Sequence, residues 1–224
     1  ILLEDALRTA SFPEAEGGKL LLVRSFNVGT INNQFSSTSI ALTIEQKLQR
    51  LATTAIYALD PSAPEQAVVY FNDALEAYVT LAAKVAKGES VDAWFWPLAV
   101  PNWSSDLDRD DALRQLVWEL AQTEAKAGAV AALLQVLHTQ QALEPLLGAL
   151  RSHDGPTLFH LYGWSPPELP LALVDLPDDS LSTPETVTTR LTQWINRWGP
   201  EDLRSVWLMA HCVSWHHPMR LMDS

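Results

Sequence analysis

Apolar residues recur at every second position through residues 20–28. Leu20, Leu22, Phe26 and Val28, interrupted by Arg24, share one side of an extended chain, with Leu21, Val23, Ser25 and Asn27 on the other. Gly29 ends this run, and a short helical lead over residues 1–10 and a Pro/Gly loop precede it. After the hydroxyl-rich "SSTS", which supplies N-caps, the period lengthens: Ile44, Leu48, Leu51, Ala55 and Leu59 follow at helical spacing. Pro64 suits a first helical turn. Behind it Val68, Phe71, Leu75, Tyr78, Ala82 and Val85 predict one face of a second long helix that stops at Gly88. The stretch "SSDLDRDDALRQLVWELAQ" opens with acids, where the helix dipole favours them, and continues with Leu113, Leu116, Val117 and Leu120. Two short helices are expected near 128–138 and 141–151. Pro156, Pro166, Pro167, Pro170 and Pro177 then predict surface loops with room for a short helix. Two helices close the chain, 183–198 with Val187, Leu191, Trp194, Ile195 and Trp198, and 200–215 with Leu203, Val206, Trp207 and Ala210.

The expected fold class is therefore mainly α: a multi-helix globular domain with one short N-terminal strand or small β element. The organisation expected is a strand plus helical block over 1–155, with proline-rich loops and a C-terminal helix pair over 156–224 packed on it as one compact unit. A lone strand leaves a row of backbone donors and acceptors unpaired. Its mate is expected either in the loop residues 156–177 or in another subunit.

One stretch departs from both periods. "WFWPLAVPNW", residues 94–103, packs Trp94, Phe95, Trp96 and Trp103 around two prolines that forbid a continuous helix. Burying such rings is worth about 2 kcal/mol or more each. They are expected either to plug the chain between helical layers or to form a contact patch for another subunit, tryptophan being enriched at binding hot spots. Together with Phe26 and Val28 they are the candidate partner-binding residues.

Composition narrows the partners. The 224 residues, 47% hydrophobic and 19% charged, belong to the ordinary globular class and suffice for a sizeable core. The net charge of −12 is uneven: residues 1–59 balance five acids with five bases, whereas 60–124 carry twelve acids and four bases, a net −8. Such acidity repels phosphate backbones and argues against nucleic-acid or anionic-membrane binding. The longest apolar run, Ala127–Leu134, is far short of the ~20 residues of a membrane span. A single cysteine, Cys212, leaves no internal disulfide framework and points to a reducing, cytoplasmic setting. The chain starts at Ile1, so it is expected to be trimmed or part of something longer; no signal peptide is evident.

Candidate chemistry is thin. "DLDRDD" spaces Asp106, Asp108 and Asp110 like a calcium loop, but the positions that require glycine and glutamate hold Asp111 and Val117. Helix capping explains it better. His211, Cys212, His216 and His217 offer metal-ligand types, yet a helix would turn His211 and His217 away from the face shared by Cys212 and His216. In "SHDG", Ser152, His153 and Asp154 are adjacent and point apart, unlike a triad, and no GxSxG elbow occurs. "EGGKL" lacks the spacing of a phosphate loop, and Asp178 and Asp179 read as a solvated pair. No catalytic residue, metal site or cofactor is assigned, and the chain is expected not to be an enzyme.

Two segments carry a family resemblance. "LLLVRSFNVGTIN" followed by "ALTIEQKLQRLATTA" is similar to the opening of the tape-measure-like proteins of bacterial contractile injection systems. There a strand ending in a Leu/Val-Gly-x-Ile pattern, here Val28, Gly29, Thr30 and Ile31, leads into an amphipathic helix. "AKGESVDAWFWPLAVP" resembles their later glycine-to-tryptophan step, so the resemblance spans about residues 19–103. It departs at Asn27, where the family usually has an acid, and an accessory protein of such a gene cluster fits equally. The resemblance implies a structural or assembly role in a phage-tail-like particle, with other protein subunits as partners in a homo- or hetero-oligomer. The alternative is a helical adaptor or regulatory protein-interaction module, such as one in bacterial defence.

Overall fold

The alternation at residues 20–28 becomes a strand, β1 (Leu20–Val23), in the computed structural model, which describes residues 2–10, 18–29, 36–123, 126–162 and 185–216. Its mate lies within the chain. A three-stranded sheet runs β1, β3 (Val68–Phe71), β2 (Ile56–Tyr57). β1 is antiparallel to β3, with Leu20 opposite Phe71 and Val23 opposite Val68, and β2 is parallel to β3, with Ile56 opposite Val69. The pairing extends one residue on each side of β3: Arg24 N–H donates to the Ala67 carbonyl at 2.9 Å and Ala58 N–H to that of Tyr70 at 2.9 Å.

This corrects the long helix expected from residue 68. The run Val68, Val69, Tyr70, Phe71 is β-branched and aromatic, the composition of a strand. Val68 and Phe71 stand three apart, a spacing that also fits a helical stripe, and so the stripe reads as continuous. Asp73 breaks it: its Oδ1 accepts from Glu76 N–H at 2.7 Å and opens α3 (Ala74–Lys87). Pro64 sits in a 3-10 turn, Ala63–Glu65, that carries the chain from β2 to β3. The mate sought in residues 156–177 is thus β3; residues 156–162 are helical, and 163–177 lie outside the described residues.

The described residues are mainly helical, with ten α-helices. The chain divides into two compact units, 1–78 with 91–105, and 79–90 with 106–224, and the first division falls inside α3.

In the first unit, α1 (Leu2–Thr9) lies against α2 (Ser37–Ala52). Ser36 caps α2 through its hydroxyl, which accepts from Ser39 N–H at 3.2 Å. Ala6, Ala10, Ile40, Ala41 and Ile44 form the buried seam, and Phe26, Val28 and Leu48 pack against it half-buried. One face of the sheet is buried through Leu22 and the central strand's Val69 and Phe71, and Val68 is buried on the other. A single helical turn, α4 (Trp96–Ala99), carries Pro97 as its second residue, where proline's missing N–H is harmless.

The second unit centres on α5 (Arg109–Ala121), packed by α6 (Lys126–Thr139), α7 (Leu143–Ala149) and α8 (Asp154–Tyr162). α10 (Leu203–His216) packs on α8 and on α9 (Glu185–Trp198). α8 spans the place where the sequence suggests a division, because Pro156 falls in its first turn and leaves the helix intact. Leu113, Leu116, Val117 and Leu120 meet Leu133, Leu134, Leu137, Leu146 and Leu147 in the core, as the helical period predicts. A buried ion pair joins α5 to α8: Arg114 Nε donates to Asp154 Oδ2 at 2.8 Å and Nη2 to Oδ1 at 2.6 Å. Among the described residues no helix is long and apolar enough to cross a membrane.

Candidate interaction groove

The chain leaves β1 along residues 24–29 and lies beside α2. Phe26 and Val28 turn inward while Arg24, Ser25 and Asn27 stay exposed, continuing the two-residue period past the end of the strand. Lys47, on α2, fixes this segment by donating from Nζ to the carbonyls of Asn27 at 2.9 Å and Val28 at 3.1 Å. Asn27 Oδ1 accepts from Gly29 N–H at 2.7 Å, and Gly29 adopts φ +98°, a conformation glycine reaches without strain. An open groove of about 260 Å³ results, lined by Ser25, Phe26, Asn27, Lys47, Arg50 and Leu51.

The lining of the groove is apolar through Phe26 and Leu51 and cationic through Lys47 and Arg50. Among the described residues neither cation makes a salt bridge, which is also true of Lys19, Arg24, Lys87, Arg109 and Arg197, whereas Arg8, Lys84, Arg114, Arg151, Arg190 and Arg204 do. The groove therefore offers uncompensated positive charge on a chain of net charge −12. Sequence reasoning reaches Phe26 and Val28 but misses Lys47 and Arg50. Their spacing on α2 reads as an ordinary solvated helix face, and only the fold brings Ser25 and Phe26 beside them.

The other candidate partner-binding residues are used inside the first unit. Phe95, Trp96 and Trp103 are buried, the first two at 2% exposure, and Trp94 is half-buried. Phe71 of β3 meets the Phe95 ring edge-on at 6.0 Å and the Trp96 ring at 5.5 Å, and Trp94 stands edge-on to Phe95 at 5.7 Å. These rings fill the space over one face of the sheet. Phe95 and Trp96 reach a partner only if that packing opens, which leaves the half-buried Phe26, Val28 and Trp94 as the more accessible members of the set, and of these Phe26 lines the groove.

The remaining constellations resolve into structural roles where they are described. Asp108 caps α5, its Oδ1 accepting from Asp111 N–H at 2.9 Å, and that hydrogen bond holds its carboxyl below the usual range. In "SHDG", Asp154 is committed to Arg114 and to Arg151 N–H at 2.6 Å, and His153 Nε2 lies 3.0 Å from Arg114 Nη2. Burial alone would raise the Asp154 carboxyl; the Arg114 and Arg151 hydrogen bonds outweigh it and hold the carboxyl low. His211 is buried on α10 between the rings of Tyr162, edge-on at 5.3 Å, and Trp207, edge-on at 5.0 Å, and burial pushes its pKa down to about 4. The side chains of Cys212 and His216, and all of His217, lie outside the described residues. Residues 178 and 179 lie outside them too.

One cluster gives no sign of itself in the sequence. The Tyr57 hydroxyl donates to Glu76 Oε1, and Asn72 donates to the same carboxylate from its backbone N–H at 2.6 Å and its side-chain amide at 2.9 Å. Burial, then the bond to Glu76, raises the Tyr57 pKa to about 12. Three donors and the Asp73 cap make this the start of α3, tied to β2. Comparison with protein-family models, with curated proteins and with solved structures gave no match for this chain.

Proposed function

We propose that this chain is a non-enzymatic structural or assembly component of a bacterial phage-tail-like contractile injection system, working from the cytoplasm by docking other protein subunits. The observation that supports docking is the groove beside Phe26, whose lining joins apolar side chains to two cations that make no salt bridge among the described residues. Such a surface favours an acidic protein segment and has no affinity for phosphate backbones beyond its two charges. The resemblance of residues 19–103 to tape-measure-like proteins supplies the setting.

The test is co-purification. Protein isolated with its natural neighbours should carry tube, sheath or baseplate subunits, and Arg50→Glu should reduce that recovery while leaving the melting temperature unchanged. Isolation with one defined soluble partner and no particle subunit would replace this reading with that of a helical adaptor.

A further inference from the structure

The chain carries a complement to its own groove. Five large hydrophobic residues are well exposed among those described: Leu7, Leu42, Leu59, Leu98 and Leu107. Only Leu107 has a carboxylate on each side in sequence, Asp106 and Asp108, and all three residues are exposed. They stand immediately before α5, within the segment whose net charge is −8. This segment joins an apolar side chain to two anionic ones, and the groove joins apolar side chains to two cationic ones.

We propose that the groove of one copy receives the Asp106–Leu107–Asp108 segment of a second copy, with Leu107 against Phe26 and Leu51 and the two carboxylates facing Lys47 and Arg50. This rests on reading the groove as a docking surface, and it names the occupant. A groove of about 260 Å³ has room for an aliphatic side chain. Lys47 commits two protons to the Asn27 and Val28 carbonyls, so its ammonium is already positioned and keeps a third donor. Arg50 presents a guanidinium fork, the geometry that grips a carboxylate with two bonds. Asp108 caps α5 with Oδ1 and stays exposed. Groove and segment are different patches, so the contact closes a two-fold dimer when two copies exchange it and builds rings or open chains when each copy passes it on.

Sedimentation of the purified chain over a range of concentration and salt tests this. The parent should self-associate, and the association should weaken as salt rises, because the contact is partly ionic. Arg50→Asp and Asp106→Arg should each weaken association by about tenfold or more, since each sets like charges together. Mixed in equal amounts, the two variants should associate again. The Asp106→Arg chain supplies an intact groove for the intact segment of the Arg50→Asp chain, and in the reverse pairing the two substituted side chains meet with opposite charge. Leu107→Ser, which carries no charge change, should weaken association, and neither charge variant's groove should rescue its segment. Thermal melting of each variant guards against loss of fold. A parent that stays monomeric at its solubility limit, or an association untouched by all three substitutions, overturns self-docking. Neither result alters recovery with particle subunits, which decides the assembly reading separately.

Discussion

His211 is neutral in the fold because its ring is sealed between Tyr162 and Trp207, and a charged imidazolium there would lose its water. In the unfolded chain it takes a proton near the usual pKa of about 6.5. Between about 6.5 and 4 the unfolded state therefore binds more protons, so its contribution to stability is complete above that window and is lost as pH falls through it. The loss by pH 4 is about 3 kcal/mol. Denaturation midpoints measured from neutral pH downwards should decline in the parent, and His211→Phe should flatten the decline. Gly155 makes a different kind of demand. A Cβ there would lie 2.7 Å from Leu203 Cβ and 3.0 Å from the Arg204 backbone nitrogen, so α8 and α10 approach too closely for any side chain. Gly155→Ala is expected to destabilise by about 1–3 kcal/mol, as overpacking does, despite alanine's better helix propensity. Urea unfolding would register it, and an unchanged midpoint would show that the helices can separate without penalty.

At the level of elements, Arg114 and Asp154 lock α5 to α8 through two direct bonds, and Asp111 takes a third from Nη1 at 2.7 Å. Asp154→Asn leaves the guanidinium buried with its main counter-charge gone, and is expected to cost about 3–5 kcal/mol. Replacing both partners together by Arg114→Met and Asp154→Leu should recover most of that, and equilibrium unfolding of single and double variants would separate the lock from simple packing. This pair also marks how far the sequence can be read. The apolar stripes of α5, α9 and α10 are legible because 3.6-residue spacing is sustained over several turns. The charged residue embedded beside Leu113 carries no sign that its partner lies forty positions away. β3 reads as helix because Val68 and Phe71 stand at helical spacing, although in the strand they face opposite sides. β2 is absorbed into the helical stripe read as far as Leu59 because Ile56–Tyr57 is too short to show a period of its own. Of the groove, Phe26 and Val28 are found by alternation along the strand, whereas Lys47 and Arg50 join it only when α2 is laid beside them.

Each of the two compact units has its own core, and charge is shared between regions unequally: residues 1–59 balance while 60–124 are strongly acidic. Composition alone makes that separation visible. It does not show that the cations of the balanced region line a groove. The sheet of the first unit has a further consequence, in time rather than in space. β2 and β3 are neighbours in sequence, joined by the 3-10 turn, and β3 runs almost directly into α3. β1 must come from far away, closing the whole of residues 24–67, α2 included, before its first bond forms. Loop-closure entropy and contact order make the local step early and the distant one late. Stopped-flow kinetics should then divide the sheet. Ile56→Val should slow refolding, its contacts being already made at the barrier. Leu22→Ala should leave refolding nearly unchanged and hasten unfolding, because the outer strand is the last to arrive and the first to leave.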